Sequence, residues 1–496
     1  MKWVIMLEEQ INIYFSDIFL VDKEIVQKYG AFNISMVNDL PLFIDPFLLF
    51  NSKKEEYQKL HENIIEYLLF LKQKVNQYEQ ISKGMLKSWF LFPEVKQAWL
   101  GFCEEGNSGN GLGMEFAIAL SDALKIVFKD FGNESITVGS HLEKVCLIKE
   151  GVGKDNISDF TANLIKKYLC EYTQMFARIN LNSEDCKNVC VDKVNFNYET
   201  ETWESQMFYL PFYLRDYVLL TPIDILRRED TWINRFDMLN DFEKIPPAIP
   251  DEALRFQINN YFYGQLSKNA KKKEKREAAW SVVRKYPSIL DYFIKYKEDT
   301  GEAAFSVNES EVTEVSFIFH QQVEELVKIL LSTTDFYNVS NSTYDDAIER
   351  VLYLKHVVED NDGYKVFYLD GKPIKRESDL HVMYRLACFG SKNDVNSEVN
   401  NGRGPVDYKL SKGSKDSTLV EFKLASNSKL KKNLQKQVEV YEKANRTKNS
   451  IKVIMFFSEE EYVKVQNILN ELQLNGKPNI ILIDARIDNK PSASVA

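Results

Sequence analysis

The sequence predicts an α/β protein, α+β overall, in which a mixed C-terminal sheet with flanking helices follows a large, mostly helical α+β N-terminal region. Two patterns carry this prediction. The region before residue 341 mixes helix and strand signals, and in Lys53–Tyr78 apolar side chains recur at steps of three and four, as they do on one face of a helix. From about residue 344, the predicted elements follow one another in the order helix, strand, strand, helix, strand, helix, strand.

The N-terminal region contains four segments with clear local signals. Apolar residues at helical steps predict a helix over Lys53–Tyr78 and another over Met114–Phe128. A third helix is expected over Phe160–Ala177, with Ser158 or Asp159 as its N-cap. The acidic, polar stretch Thr300–Thr313 is typical of a linker.

The C-terminal part has a regular succession of elements. Asp370-Gly371 marks a hairpin turn, and Ser458 with Glu461 forms a capping box at a helix start. The predicted helices are Asp345–Val358, Glu377–Phe389, Ser428–Asn445 and one beginning after Ser458; the predicted strands are Gly404–Leu410, Thr418–Leu424, Ile451–Phe457 and Asn479–Asp484.

Composition excludes several classes of protein. With 44% hydrophobic and 27% charged residues, the chain matches soluble globular proteins, and no run of 18 apolar residues predicts a membrane span. Six cysteines among 496 residues do not make a disulfide scaffold, and the five histidines lack zinc-like spacing. We therefore expect a cytoplasmic protein with no membrane contact, in which any metal has oxygen ligands.

Changes in pattern divide the chain into segments. The first predicted segment is a recognition or regulatory region of unknown type at 1–300, either undivided or made of two subdomains that meet near 180–200. It is followed by a linker and connecting helix at 301–340, the sheet-containing domain at 341–488 and a disordered tail at 489–496.

Three residues of the predicted sheet form a chemically unusual set. Side chains alternate along a strand, so Glu421 and Lys423 share one face of the strand Thr418–Leu424. If the preceding strand pairs with it as a hairpin, Asp407 can face Glu421. Two neighbouring carboxylates repel unless a cation lies between them, and Mg²⁺ suits such a pair, with Mn²⁺ as an alternative.

These residues resemble the PD-(D/E)xK nuclease superfamily, whose fold is restriction-endonuclease-like. The first half of the motif is present as Pro405-Val406-Asp407, with one residue inserted, and the second half as Glu421-Phe422-Lys423. In the following helix, Gln437 and Tyr441 are four residues apart, which is similar to the Q-x-x-x-Y motif of RecB-like exonucleases. The resemblance covers residues 375–485.

The resemblance implies a Mg²⁺-dependent deoxyribonuclease, a phosphodiester hydrolase. Asp407, Glu421 and the carbonyl of Phe422 would hold the metal, Lys423 would orient the attacking water, and Gln437 and Tyr441 would complete the site. The family usually has a third acid on its first helix. Glu377 and Glu398 are both candidates, and proximity in sequence favours Glu398.

Local charge favours a polyanionic substrate. Residues 401–450 contain twelve Lys or Arg against five Asp or Glu, although the whole chain has a net charge of −10. Basic residues concentrated beside the motif are the footprint of phosphate-backbone binding. The candidate nucleic-acid-binding residues are Arg403, Lys409, Lys412, Lys429, Lys432 and Lys436.

The leading hypothesis is therefore a DNA nuclease, in keeping with a role in bacterial antiviral defence, acting as a homo-oligomer or with a partner defence protein. A second hypothesis is a nucleic-acid-binding or assembly subunit of a defence or restriction complex, with a weak or inactive nuclease fold. A third places a separate activity in the N-terminal region, around Gly106–Gly113 or Asp155–Asp159.

Overall fold

The computed structural model describes residues 13–78, 80–101, 113–126, 131–148, 152–337, 342–388, 408–412, 416–435 and 449–490. In these ranges the chain is a mixed α+β protein, as predicted. None of the helices in the described ranges combines the length and apolar character needed to cross a bilayer.

Helices dominate the N-terminal region. Glu55–Gln77 confirms the helix predicted at Lys53–Tyr78, and its apolar stripe, which includes Ile64, Leu68 and Leu71, is buried. The helices of eight or more residues before position 341 are Glu55–Gln77, Met114–Ile126, Lys154–Leu164, Lys166–Asn180, Glu252–Tyr263, Lys272–Lys285, Ile289–Asp299, Glu302–Ser316 and Val323–Thr333. Shorter helices are Phe15–Ile18, Lys23–Tyr29, Pro46–Phe50, Lys83–Met85, Lys144–Ile148 and Arg235–Asn240.

Two predictions for this region need correction. The expected helix Phe160–Ala177 is two helices, and the first begins earlier, with Gly153 rather than Ser158 or Asp159 at its N-cap. Ser158 instead accepts a hydrogen bond from the amide of Ile44, 2.9 Å away. The stretch predicted as a linker is the helix Glu302–Ser316, whose Ala304, Val312 and Val315 are buried in the core.

The strands within the described residues form four sheets. In chain order they are β1 (Phe43–Ile44), β2 (Cys186–Asn197), β3 (Thr202–Tyr213), β4 (Asp216–Tyr217), β5 (Leu226–Arg227), β6 (Tyr368–Leu369), β7 (Lys372–Pro373), β8 (Tyr408–Lys412), β9 (Asp416–Leu424), β10 (Asn449–Phe456) and β11 (Ile480–Asp484). β1 pairs with β5, β2–β3–β4 form a meander, and β6 pairs with β7 around the predicted Asp370-Gly371 turn. The fourth sheet has the order β11-β10-β9-β8.

The C-terminal sheet is mixed, as predicted. β9 runs parallel to β10, β10 runs parallel to β11, and β8 is antiparallel to β9. Tyr408 pairs with Val420, and Lys452 pairs with Glu421. This register decides which side chains meet on each face of the sheet.

Helices cover both faces of this sheet. On one face, Val420 and Phe422 of β9 and Ile451, Val453 and Met455 of β10 join the main core, which also contains buried residues of two helices, Thr343–Asp360 and Glu377–Cys388. On the other face, Ile454 and Phe456 pack with Leu430 and Leu434 of the helical residues 430–435 and with the helix Glu459–Glu471. Ser458 caps that last helix as predicted: its hydroxyl accepts from the amide of Glu461.

Candidate active site on the C-terminal sheet

Strand β9 brings an acid and an amine onto one sheet face. Val420 and Phe422 point to the main core and are almost fully buried, so Glu421 and Lys423 point to the opposite face. Glu421 is only 3% exposed, and the side chain of Lys423 is 12% exposed. The alternation predicted for this strand is therefore confirmed, and both charged groups lie in a largely water-excluded environment.

A third charged side chain lies on the same face. Lys452 is the register partner of Glu421 on β10, and paired residues of neighbouring strands share a face. Burial lowers the pKa of Lys452, while the nearby charge of Glu421 acts in the opposite direction. Sequence reasoning missed this lysine, although one lysine within the apolar run Ile451–Phe457 was a signal.

Glu377 reaches the site from the start of the helix Glu377–Cys388. Its Oε2 lies 3.7 Å from Nζ of Lys423. Its Oε1 accepts hydrogen bonds from the amide of Leu424 (3.1 Å) and from Nδ2 of Asn427 (2.8 Å). Of the two acids considered from the sequence, Glu377 is thus fixed beside Lys423, whereas Glu398 lies outside the described residues.

The carbonyl of Phe422, predicted to be a metal ligand, has a protein partner. Nε2 of His381 lies 2.8 Å from this oxygen, and because a carbonyl only accepts, His381 carries its proton on Nε2. Burial lowers the pKa of His381 to about 4, so the ring is neutral at pH 7.

The basic residues are only partly described. Lys429 and Lys432 are exposed on the segment that follows β9. Lys409 and Lys412 lie in β8, opposite Leu419 and Asp416. Arg403 and Lys436 lie outside the described residues.

The remaining predicted site residues, Asp407, Gln437 and Tyr441, also lie outside the described ranges. Leu430 and Leu434, predicted to share a helix face with Gln437, are buried. In the part of the chain that the structure does describe, no three His, Cys, Asp or Glu side chains are grouped so as to hold a metal.

Comparisons with known proteins give two partial family matches. Residues 20–234 match a domain of unknown function, DUF8370, and residues 343–459 match another, DUF8371. No curated protein matches the chain. No solved structure matches it either. The second matched stretch contains Glu377, Glu421, Lys423 and Lys452, so all the described residues of the candidate site lie within the residues that match DUF8371.

Proposed function

We propose that the C-terminal domain is a metal-dependent nuclease that hydrolyses phosphodiester bonds in DNA. The observation that supports this most directly is the buried set Glu421, Lys423 and Lys452 on one sheet face. The set lies one residue from the β8–β9 pair Tyr408–Val420, and Asp407 directly precedes Tyr408 in the sequence. An acid and an amine at this position agree with the resemblance to PD-(D/E)xK nucleases.

The donor set fits Mg²⁺, with Mn²⁺ as an alternative. In this proposal Asp407 and Glu421 hold the cation with hard carboxylate oxygens, and the Phe422 carbonyl is the further protein ligand that the resemblance implies. When bound, the cation would supply Lewis-acid polarisation of the phosphate and a lowered pKa of a water molecule.

The protein groups supply positioning and charge. Lys423 stabilises the negative charge that develops on the phosphate during attack, because a preorganised amine in a water-excluded site interacts strongly with it. Glu377 holds Lys423 in place through the 3.7 Å contact and holds the end of β9 through Leu424. In the proposal, Gln437 and Tyr441 complete the site from the helix that follows.

A DNA substrate agrees with the charge distribution. Lys429 and Lys432 are exposed next to the site, and residues 401–450 carry twelve basic against five acidic side chains. Lysine and arginine contacts to phosphates give affinity without reading sequence. In the proposal, specificity comes from the region 1–300, which would recognise a substrate, a partner or a trigger in cytoplasmic defence against foreign DNA.

The test measures cleavage of supercoiled plasmid DNA by the full chain, once with Mg²⁺ and once with EDTA. Single-stranded RNA is offered as a second substrate under the same conditions. We expect DNA cleavage that EDTA abolishes. Glu421→Gln, Lys423→Met and Asp407→Asn should each slow cleavage by roughly 100-fold or more, because each removes a group from the reacting centre.

Matched surface variants control for non-specific effects. Glu460→Gln and Lys477→Met remove an exposed acid and an exposed lysine of the same domain, and both should cleave at the wild-type rate. Undiminished cleavage by Glu421→Gln and Lys423→Met would refute the site. If the wild-type chain binds DNA in a salt-dependent manner but does not cleave it, this would support the alternative, an inactive nuclease fold that only binds DNA.

A further inference from the structure

A large cavity lies in the N-terminal region, and the residues that line it all precede position 332. It has a volume of about 1420 Å³ and is lined mainly by residues 13–33, the start of the helix Glu55–Gln77, the helix Lys166–Asn180 and residues 305–331. Cavities that bind small molecules usually measure about 300–1,000 Å³. The space therefore suits a ligand that is larger than a compact small molecule.

Four tyrosines form one side of the cavity, the tyrosine wall: Tyr29, Tyr57, Tyr168 and Tyr172. Neighbouring rings are in contact, with centroids 4.6 Å apart for Tyr29 and Tyr172 and 5.9 Å apart for Tyr168 and Tyr172. The hydroxyl of Tyr29 donates to the carbonyl of Tyr172 (2.8 Å), and the hydroxyl of Tyr172 donates to the carbonyl of Tyr29 (3.2 Å). These contacts fix a set of aromatic faces, which attract cations.

One ammonium group of the protein already lies against this wall. Nζ of Lys54 is 4.5 Å from the centroid of the Tyr57 ring and 2.5 Å from Oδ2 of Asp224. The hydroxyl of Tyr57 donates to the other oxygen of Asp224, at 2.8 Å. An aromatic ring and a carboxylate therefore act together on a cation at this side of the cavity.

The charged side chains of the lining are mostly acidic. The acids are Asp17, Glu24, Glu56, Asp224, Glu309 and Glu324, and the bases are Lys23, Lys54 and Lys328. Each lysine lies beside a carboxylate of the same lining: Lys54 beside Asp224, and Lys23 and Lys328 beside Glu324, at 3.8 and 2.8 Å. His320, which also lines the cavity, is neutral at pH 7 because burial lowers its pKa to about 4.

Two carboxylates of the lining are left over from these pairs. Glu56 and Glu309 are exposed, and neither belongs to an ion pair within the part of the chain that the structure describes. Glu56 lies near the tyrosine wall, since its charge adds to burial in raising the pKa of Tyr29. Carboxylates beside aromatic faces favour a cationic ligand, and the acidic lining disfavours a phosphate.

We propose that this cavity binds a basic peptide segment of a partner protein, whose guanidinium or ammonium groups contact the tyrosine wall and the carboxylates of Glu56 and Glu309. Arginine suits the wall best, because its planar guanidinium stacks on aromatic rings and is weakly hydrated. Met175, which is 57% exposed at the cavity, offers a flexible apolar contact to the alkyl part of such side chains. The inference concerns a different part of the chain from the proposed nuclease site and does not depend on it.

The experiment follows the fluorescence anisotropy of a labelled peptide as the full-length chain is added. The probe is an octapeptide of alternating glycine and arginine, and the comparison peptide alternates glycine and glutamine, with the same length and no charged side chains. We expect the arginine peptide to bind roughly tenfold more tightly or better, because only its side chains can use both the aromatic faces and the carboxylates.

Matched charge variants locate the binding in the cavity. Glu56→Gln and Glu309→Gln each remove one carboxylate of the lining, and each should raise the Kd for the arginine peptide about fivefold. Glu55→Gln and Glu302→Gln remove exposed acids of the same two helices that do not line the cavity, and both should stay within about twofold of the wild type. All four positions are exposed, so we expect these variants to fold.

A second pair of variants tests the tyrosine wall. Tyr168→Leu removes an aromatic face and should raise the Kd for the arginine peptide about fivefold. Tyr168→Phe keeps the ring and should stay within about twofold of the wild type.

Three results would overturn the inference. The first is an arginine peptide that binds no better than the glutamine peptide, and the second is unchanged binding in both Glu56→Gln and Glu309→Gln. The third is displacement of the arginine peptide by free spermidine or by single-stranded DNA with an equal or lower Kd, which would make the ligand a polyamine or a nucleic acid. Plasmid cleavage tests the nuclease proposal separately, so the two proposals can fail independently.

Discussion

The N-terminal region and the C-terminal sheet both bury ionisable side chains, but they use them differently. In the N-terminal region, Asp45 is fully buried and its two oxygens accept from backbone amides, Oδ1 from Phe47 (3.0 Å) and Oδ2 from Trp232 (2.7 Å). These bonds cap the short helix Pro46–Phe50 and tie it to a distant loop. Such a carboxylate serves the fold, because its lone pairs are committed to the backbone.

On the C-terminal sheet, the buried charges face each other across strands. Glu421 lies opposite Lys452, and Lys423 lies beside Glu377. A buried carboxylate that lies beside amines can gain a ligand without the loss of backbone hydrogen bonds, whereas one committed to backbone amides cannot do so without unfolding a helix end. Burial of charge therefore does not mark a functional site by itself; the type of partner does.

The largest effect is expected at a buried ion pair that joins the two regions. Arg228 donates to Asp379 of the helix Glu377–Cys388, both are 2% exposed, and Arg228 also lies 3.2 Å from Glu314. Arg228→Met leaves Asp379 buried without its main cation and should lower the free energy of unfolding by about 3–5 kcal/mol. Urea denaturation of the full chain measures this loss.

The double variant Arg228→Met/Asp379→Leu is the matched control for that pair. Replacing both partners by apolar side chains removes the uncompensated charge and should recover most of the stability. If Arg228→Met lowered the free energy of unfolding by less than about 1 kcal/mol, the pair would be as weak as a surface ion pair. Arg228 and Asp379 would then not be an example of buried charges that serve the fold.

A smaller effect, dependent on pH, is expected at His61 in the N-terminal region. His61 is buried near the rings of Phe50 and His141, and burial lowers its pKa to about 3. The imidazole of His61 takes up a proton near pH 6.5 in the unfolded chain but not in the folded protein. Folding is therefore not penalised by His61 above about pH 6.5, and the free energy of unfolding decreases as the pH falls from 6.5 toward 3. Between pH 6.5 and pH 5 this decrease in the free energy of unfolding is about 1.5 kcal/mol.

The measurement compares the wild type with His61→Gln, which has no ionisable ring. Denaturation curves at the two pH values should show a stability difference between the proteins that shrinks by about 1.5 kcal/mol at pH 5. Parallel pH profiles for the two proteins would contradict the prediction.

Local signals predicted the C-terminal strands and the Ser458 cap well, because strand alternation and capping depend on neighbouring residues. The linker prediction for Thr300–Thr313 was wrong. The composition of this stretch is polar, but its helix packs against the core through the buried side chains of Ala304 and Val312. The resemblance to nucleases and the roles of Asp407, Gln437 and Tyr441 stay predictions.

The contacts that define the site could not be predicted from local patterns. Lys452 lies opposite Glu421 only because β9 and β10 pair in one particular parallel register, across 31 residues of sequence. Glu377 meets Lys423 only because the helix Glu377–Cys388 packs on the same sheet, where the ring of Tyr384 lies 4.5 Å from that of Phe422. Strand register and the packing of a helix on a sheet depend on tertiary contacts, so the sequence of one strand or one helix does not determine them.

The smallest expected effect separates the two roles that remain for Glu377, positioning residue or metal ligand. Glu377→Gln keeps an oxygen for the Leu424 amide and for Asn427 but removes the charge beside Lys423. If Glu377 positions Lys423, plasmid cleavage should slow roughly tenfold while the Kd for Mn²⁺ stays within about twofold, as for groups that orient a reacting side chain. Glu471→Gln, which alters an exposed ion pair with Lys431, should leave both unchanged. A loss of Mn²⁺ affinity equal to the loss of cleavage would instead make Glu377 a metal ligand, and the site would then hold its cation with an acid from the helix as well as acids from the strands.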